Sequence, residues 1–285
     1  MIRPATLPMG WYPHEAQKMR GSLQEWTGHA RGRTPEAYET REGVTAQVRA
    51  CVAPHAGWSF CGALAAASVA SLTERPGTVV IAGGHLRPED PFLVSTADAQ
   101  ETPLGTVDVD TELTGMLRDR FNAEETPGID NSTDALIPIP QYLFPEVRDV
   151  VCIVPPRTEA FDFGVAVSRY ARETERRLAV IGSTDLTHYG PNFGFTTHGI
   201  GGDAHQWVVE SNDARFLDAL TTMKPEQALS RALQEHSACS PGGAVAAMAF
   251  AQDQGAEQGE VLDHYTSYDI HPGSSFVGYG GVVFT

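Results

Sequence analysis

The stretch Arg49-Ala50-Cys51-Val52-Ala53-Pro54-His55-Ala56-Gly57-Trp58 holds an apolar run that stops at Pro54, with a histidine at the first position beyond it. A short, almost wholly apolar run closed by proline reads as a strand buried on both faces, here Val48–Pro54. Small residues (Ala56, Gly57, Gly62) lead on to an alanine-rich helix, predicted over Ala63–Leu72. Strand, loop and helix open a parallel α/β unit, and in such sheets ligands bind in the crevice outside the carboxyl ends of the strands. His55 is therefore placed for chemistry. A single histidine there reads equally well as a cap for the next helix or a partner for loop carbonyls. The arrangement recurs twice more.

Thr78-Val79-Val80-Ile81-Ala82 is a second such strand, ending at Gly83-Gly84-His85. Leu178-Ala179-Val180-Ile181-Gly182 runs into Ser183-Thr184-Asp185-Leu186-Thr187-His188-Tyr189-Gly190. Between them the pattern predicts a strand over Phe92–Ser95, a helix over Asp108–Arg120, and a loop with a short helix over 122–146. Asp149–Val154 is a further buried strand closed by Pro155-Pro156. Phe161–Arg177 has the periodicity of an amphipathic helix, and Arg176-Arg177 suits the negative helix end. Helices are expected over Ala204–Leu220, Pro225–Gln234 and Gly243–Gln254, and closing strands over Glu260–Ser267 and Phe276–Phe284.

Upstream, residues 1–13 read as irregular, punctuated by Pro4, Pro8, Gly10 and Pro13. Trp11-Tyr12 is bulky enough to dock this arm. A helix follows over His14–Trp26, then a polar surface loop over 28–46. No composition break divides the chain, so residues 1–285 are expected to form one domain, with 1–46 as an arm, helix and loop packed on it. The expected fold class is α/β: a central mixed, largely parallel sheet with helices on both faces.

The apolar fraction of 41% and charged fraction of 20% are those of an ordinary globular protein. Twenty basic against 36 acidic residues give a net charge of −16, with no Lys/Arg cluster. This argues against nucleic acid and anionic membrane surfaces as partners, since both need basic patches. Four cysteines without a Cys-x-x-Cys pair offer neither a zinc ribbon nor a thioredoxin motif. Met1-Ile2-Arg3-Pro4 lacks the apolar core of a signal peptide, and no apolar run reaches the ~18 residues of a membrane span. A cytoplasmic location is the expectation.

His55, His85, Asp185 with His188, and Cys239 occupy four loops, each after a predicted strand or before a helix. Imidazole and thiolate suit zinc, iron(II) and copper, and two His with one Cys leave coordination positions open for catalysis. Pro241 marks the start of the helix after Cys239, and the positive helix end is expected to lower the thiol pKa. Asp185 and His188, three residues apart, form a candidate orienter–base pair. Spacing alone leaves open that these are separate structural residues.

Several segments together resemble the Memo family, nearly end to end. They are Arg3-Pro4-Ala5 with Gly10-Trp11-Tyr12-Pro13, Pro54-His55-Ala56-Gly57-Trp58, Thr96 through Gly105, Ser183 through Gly190, Tyr265 through Asp269, and Val277 through Gly280. The resemblance implies a fold like that of the class III extradiol dioxygenases, whose non-haem iron opens catechol-type rings. It implies that the family's metal-binding His, His and Cys fall on His55, His85 and Cys239, and its neighbouring Asp and His on Asp185 and His188. Fe(II) is the metal expected, with copper or zinc as alternatives.

The chain departs from the family pattern at three places. Ala82-Gly83-Gly84-His85-Leu86 stands for Gly-Pro-Ser-His-His. Asp130-Asn131-Ser132-Thr133-Asp134 stands for Glu-His-Ser-x-Glu, and Ser240 replaces the usual Gly. Ligands kept within altered surroundings point to a divergent substrate.

The leading expectation is a mononuclear Fe(II)- and O2-dependent oxidoreductase, dioxygenase-like, acting on a small aromatic or metal-chelating substrate. His188 and Asp185 are its candidate catalytic residues, and Trp58, Tyr189 and Asn131 its candidate substrate contacts. Phe193 and Tyr279 also lie in or near the motif loops, where each singly reads as core packing or as pocket wall. Two other readings remain open at this level. One is a binding module that kept the metal cleft to recognise a peptide or protein segment. The other is a hydrolase using Cys239, His188 and Asp185 as nucleophile, base and orienter. The remaining histidines, including His236 three residues before Cys239, read as surface or structural. The sequence carries no sign of oligomeric state.

Overall fold

Four parallel strands buried on both faces form the centre of the molecule, and their period-two alternation divides the core in two. The computed structural model describes residues 1–30, 47–73, 75–127 and 130–285. Most of the expected polar loop at 28–46 lies outside these residues. In chain order the elements are β1 (Ile2–Arg3), α1 (Ala16–Ala30), β2 (Ala50–Ala53), α2 (Trp58–Ala70), β3 (Thr78–Gly83) and β4 (Leu93–Ser95). Next come β5 (Ala99–Thr102), β6 (Gly105–Asp108), α3 (Thr111–Phe121), β7 (Glu124–Thr126), α4 (Asn131–Asp134) and α5 (Pro138–Leu143). They are followed by β8 (Arg148–Ile153), α6 (Glu159–Glu173), β9 (Leu178–Ser183), β10 (His188–Tyr189), α7 (Gly202–Trp207) and α8 (Ala214–Thr221). The chain closes with α9 (Pro225–Glu235), α10 (Pro241–Asp253), β11 (Gly259–Thr266), α11 (Ser267–Ile270) and β12 (Phe276–Phe284).

The large sheet runs β10-β12-β2-β9-β3-β8-β4-β7, with β11 paired to β12. β2, β9, β3 and β8 are parallel, while β12 and β4 flank them antiparallel, so the mixed, largely parallel α/β sheet expected from the sequence is the one observed. Ala50, Val52, Val80, Ala82, Val150, Cys152 and Val180 point to one core, packed by α3, α6, α8, α9 and α10. Their neighbours Cys51, Ala53, Val79, Ile81, Val151, Ala179 and Ile181 point to the other, packed by α1, α2 and α5. Successive side chains of a strand face opposite ways, so a strand sandwiched between helix layers must be apolar throughout. Ala53 pairs with Ser183 and Ala82 with Gly182, so β2, β9 and β3 finish level on one edge.

Local expectations were corrected in several places. α2 begins at Trp58 rather than Ala63, because Gly57 already accepts the first helical N–H groups. α6 ends at Glu173, and Glu175 takes a positive φ of 53°. Arg176 thereby turns back to an ion pair with buried Asp110 instead of capping the helix. The helix expected over Ala204–Leu220 contains a π-helical segment, Val208–Asp213, between α7 and α8. Ile2–Arg3 is not irregular: β1 pairs in parallel with β5 of the β5–β6 hairpin, which the sequence pattern had not distinguished. Arg3 is buried there, its guanidinium donating to both carboxylate oxygens of Asp134 at 2.8 and 3.0 Å. Among the described residues no helix is long and apolar enough to cross a membrane.

Candidate metal centre

The level ends of β2, β3 and β9 bring His55, His85 and Asp185 to one edge, and the turn before α10 adds Cys239. That turn is tied to the loop after β9, since Cys239 N–H donates to the Asp185 carbonyl at 3.2 Å. Ser240 N–H donates to Thr184 Oγ1 at 3.0 Å. Candidate donor atoms of His55, His85 and Cys239 lie within 4.8 Å of one another, and so do those of Asp185, His188 and Cys239. Cys239 Sγ is 3.4 Å from His55 Nε2.

Each imidazole of the first group is held from behind. His55 is buried, its Nδ1 2.8 Å from Ser183 Oγ, and that hydroxyl donates to the Ser132 carbonyl. His85 Nδ1 lies 2.9 and 3.0 Å from the two oxygens of Asp130. In both rings Nε2 is left for the centre, the arrangement by which outer-shell partners orient metal-binding histidines. Burial, and then the neighbouring His85, push His55 down to about 3, so its ring is neutral and ligand-competent. The hydrogen bond to Asp130 raises His85. Burial opposes ionisation of Asp130, but His85 and the Ser132 N–H hold the carboxyl well below its usual range. The chemistry of this donor set fits a borderline divalent metal.

Gly84 launches His85 at φ +111°, and a Cβ there would stand 1.9 Å from Ile153 Cγ2. The glycine that departs from the family pattern is thus required by the backbone that aims the imidazole.

Asp185 does not orient His188 by a hydrogen bond. Its Oδ1 accepts the backbone N–H groups of His55 (2.8 Å) and Ala56 (3.3 Å). Its Oδ2 sits 3.9 Å from His55 Nε2 and 4.0 Å from His188 Nε2. Burial raises Asp185, opposed by His188 and by those N–H donors. Burial lowers His188, opposed by Asp185. His188 stacks on Phe193 with ring centroids 4.9 Å apart.

The helix N-terminus was expected to lower the Cys239 thiol. Burial instead raises it, with the adjacent Asp185 adding to the effect. Loss of solvent disfavours the charged thiolate, and a neighbouring carboxylate does so further.

A cleft of about 330 Å³ opens on His55, His85, Asp185 and His188, with Asn131, Phe193 and Tyr279 in its walls. Trp58 and Tyr189, expected as substrate contacts, are core residues. Trp58 packs against Tyr12 and Trp26 and donates from Nε1 to the Ala135 carbonyl at 2.9 Å. Tyr189 is fully buried against Phe195, Trp207 and Phe276. Asp130 and Ser183 were missed as imidazole holders, although Asp130 is recognisable as the N-cap of α4. His264 was read as structural, and it pairs with buried Asp213 at 3.0 Å. Asp213 in turn accepts from the Thr187 N–H at 3.1 Å, directly behind His188.

Fold and site together define an open α/β protein with a candidate His-His-Cys metal centre on the carboxyl edge of its parallel strands. The Memo-like protein family matches residues 3–283, and the chain belongs to that family. A MEMO1 family protein of Methanopyrus kandleri is 30% identical over 300 residues, covering 100% of this chain and 99% of its own. One from Methanothermobacter thermautotrophicus is 31% identical over 291 residues, covering 98% and 99%. The crystal structure of an uncharacterized protein from Escherichia coli K12 shares the fold, with TM-score 0.53 and 14% identity over 84% of this chain and 100% of that one.

Proposed function

We propose that the protein is a mononuclear metal enzyme, an Fe(II)- and O2-dependent, dioxygenase-like oxidoreductase acting on a small aromatic or metal-chelating substrate. The observation that carries this reading is the convergence of His55, His85 and Cys239, with both imidazoles held through Nδ1, beside a cleft that His55 and His85 border together with Trp11, Phe60 and Phe193. The kinship of Memo motifs with class III extradiol dioxygenases supports the same reaction class. His55, His85 and Cys239 would hold the metal, which would supply Lewis-acid and redox chemistry for a hydroxylated substrate and dioxygen. His188, at the cleft and beside Asp185, serves as the acid–base group that moves a substrate hydroxyl proton. Asp185 fixes the His55 loop and sets its second carboxylate oxygen 3.9 Å from the His55 ring and 4.0 Å from the His188 ring. The site is taken to work in the cytoplasm without nucleic acid.

The Cys239 hydrolase reading is disfavoured, because the thiol's contact is to His55 at 3.4 Å and the Asp185 carboxylate stands 4.0 Å from His188, too far to orient it as a base. The deciding experiment is anaerobic purification with elemental analysis, followed by an Fe(II)/O2 assay against catechols and related phenols. Stoichiometric metal without oxygen uptake on any of them would leave a metal-containing binding module.

A further inference from the structure

Two cavities meet at the candidate centre. The cleft of about 330 Å³ is bordered by His55, His85 and Asp185. A second cavity of about 370 Å³ is bordered by Cys239, Ala238 and His236. Among the described residues only His188 and Phe193 border both. The two rings are stacked, 21° from parallel, and make a double wall between the chambers. His188 is held by its place in β10, paired with Val277 of β12. Phe193 is held differently: its backbone is fixed while the residue as a whole is 46% exposed.

The fixing comes from the turn that carries it. Gly190 sits at φ +111°, where a Cβ would stand 2.3 Å from the Ser274 carbonyl oxygen. Phe193 N–H donates to the Gly190 carbonyl at 3.0 Å, and Asn192 N–H donates to Ser275 Oγ at 3.1 Å. An anchored backbone with a solvent-facing ring lets the size of one side chain decide how much of the two chambers is joined. The packing of the core does not depend on it.

We propose that Phe193 is a specificity-determining residue of this site, a partition bordering both chambers whose bulk sets how large a ring system the His55/His85 chamber admits and how large a reagent reaches Cys239. This rests on the proposed function for its substrate class and goes beyond it in assigning the size limit to one residue. One misfitted methylene in a hydrophobic pocket is worth about 10–200-fold, so even a partial wall from one anchored aromatic ring should give a measurable preference.

The test uses wild type, Phe193→Ala and Phe193→Trp, loaded with Fe(II) and titrated anaerobically with catechol and with an ortho-dihydroxynaphthalene. Wild type should prefer the single ring by about tenfold or more, and Phe193→Ala should bring the two affinities within about threefold of each other. Phe193→Trp should weaken the fused ring further. Metal content and melting should stay at wild-type values in both variants, given the exposure of the ring. An unchanged preference in Phe193→Ala overturns the proposal.

If wild type binds neither probe, the substrate class is wrong, and the partition is read on the metal-free protein instead. Cys51, Cys61 and Cys152 are buried, so alkylation located by mass spectrometry reports Cys239. A bulky maleimide should then react faster with Phe193→Ala than with wild type, while iodoacetamide reacts alike with both. Equal maleimide rates overturn the proposal.

Discussion

Asp185 accepts the backbone N–H of His55 through one carboxylate oxygen at 2.8 Å, while its other oxygen lies 3.9 Å from the same residue's Nε2. One buried side chain thus shapes the loop after β2 and sets the charge its imidazole meets. The two roles separate by substitution. Asp185→Asn keeps an acceptor for the N–H groups of His55 and Ala56, and should fold normally with altered metal affinity. Asp185→Ala leaves both donors without a partner and should cost about 1–3 kcal/mol per buried group in urea denaturation. Equal stability of the two variants would remove the structural role.

Replacing His85 or Cys239 by Ala should abolish most of the bound metal in elemental analysis. Melting of the metal-free proteins should stay close to that of metal-free wild type, because neither side chain packs in the apolar core. Undiminished metal in Cys239→Ala would exclude the thiol from the ligand set.

His188→Gln should retain metal and lose about 10²–10⁴-fold in turnover, the usual worth of general acid–base assistance. Loss of metal in proportion to activity would make His188 a ligand instead.

Gly84→Ala tests how His85 is aimed. The φ of +111° and the Ile153 contact at 1.9 Å force the backbone to shift. The expected cost is on the order of 1–3 kcal/mol in stability. Metal affinity should fall with it, which is read by competition with a chelator.

Asp149 should give stability a pH dependence far from the site. Burial pushes its carboxyl up to about 7, against the hydrogen bond from Gln100 and the nearby Arg3, and its Oδ2 has no partner. Its pKa is higher in the folded than in the unfolded chain, so the folded state holds the proton more tightly. The contribution is complete below the unfolded carboxyl range and is lost as pH rises through about 7. Asp149→Asn should therefore gain on wild type between pH ~4 and ~7, by at most ~4 kcal/mol, measured by urea denaturation across that range. A constant difference between the two proteins would refute the shift.

Much of the site was legible because of how parallel strands are buried. β2, β3 and β9 face helices on both sides, so each is written as an unbroken apolar run, and the first polar residues past each run mark the carboxyl edge. His55, His85, Asp185 and His188 stand at or just past those positions, Cys239 stood out in the loop before a helix, and the Memo resemblance implied that His55, His85 and Cys239 form the ligand set. The roles of individual aromatic residues were less legible. Trp58 and Tyr189 sit in the same motifs as the site residues, yet point into the core: Trp58 opens α2 and Tyr189 follows His188 in the two-residue β10, positions too close to an element's end to show a periodicity from which a side chain's facing could be read.

The sequence by itself determined the layered α/β fold, the strand ends and the family, since these rest on local hydrophobic pattern and contiguous motifs. Only the tertiary structure decided that Cys239 meets His55 across 184 residues, that Asp130 holds His85 across 45, and that Phe193 divides two chambers. Those pairings depend on the order β2-β9-β3-β8 and on where α10 begins over the strand ends. Strand order is set by the joint packing of all the helices, a property that no local stretch of sequence contains.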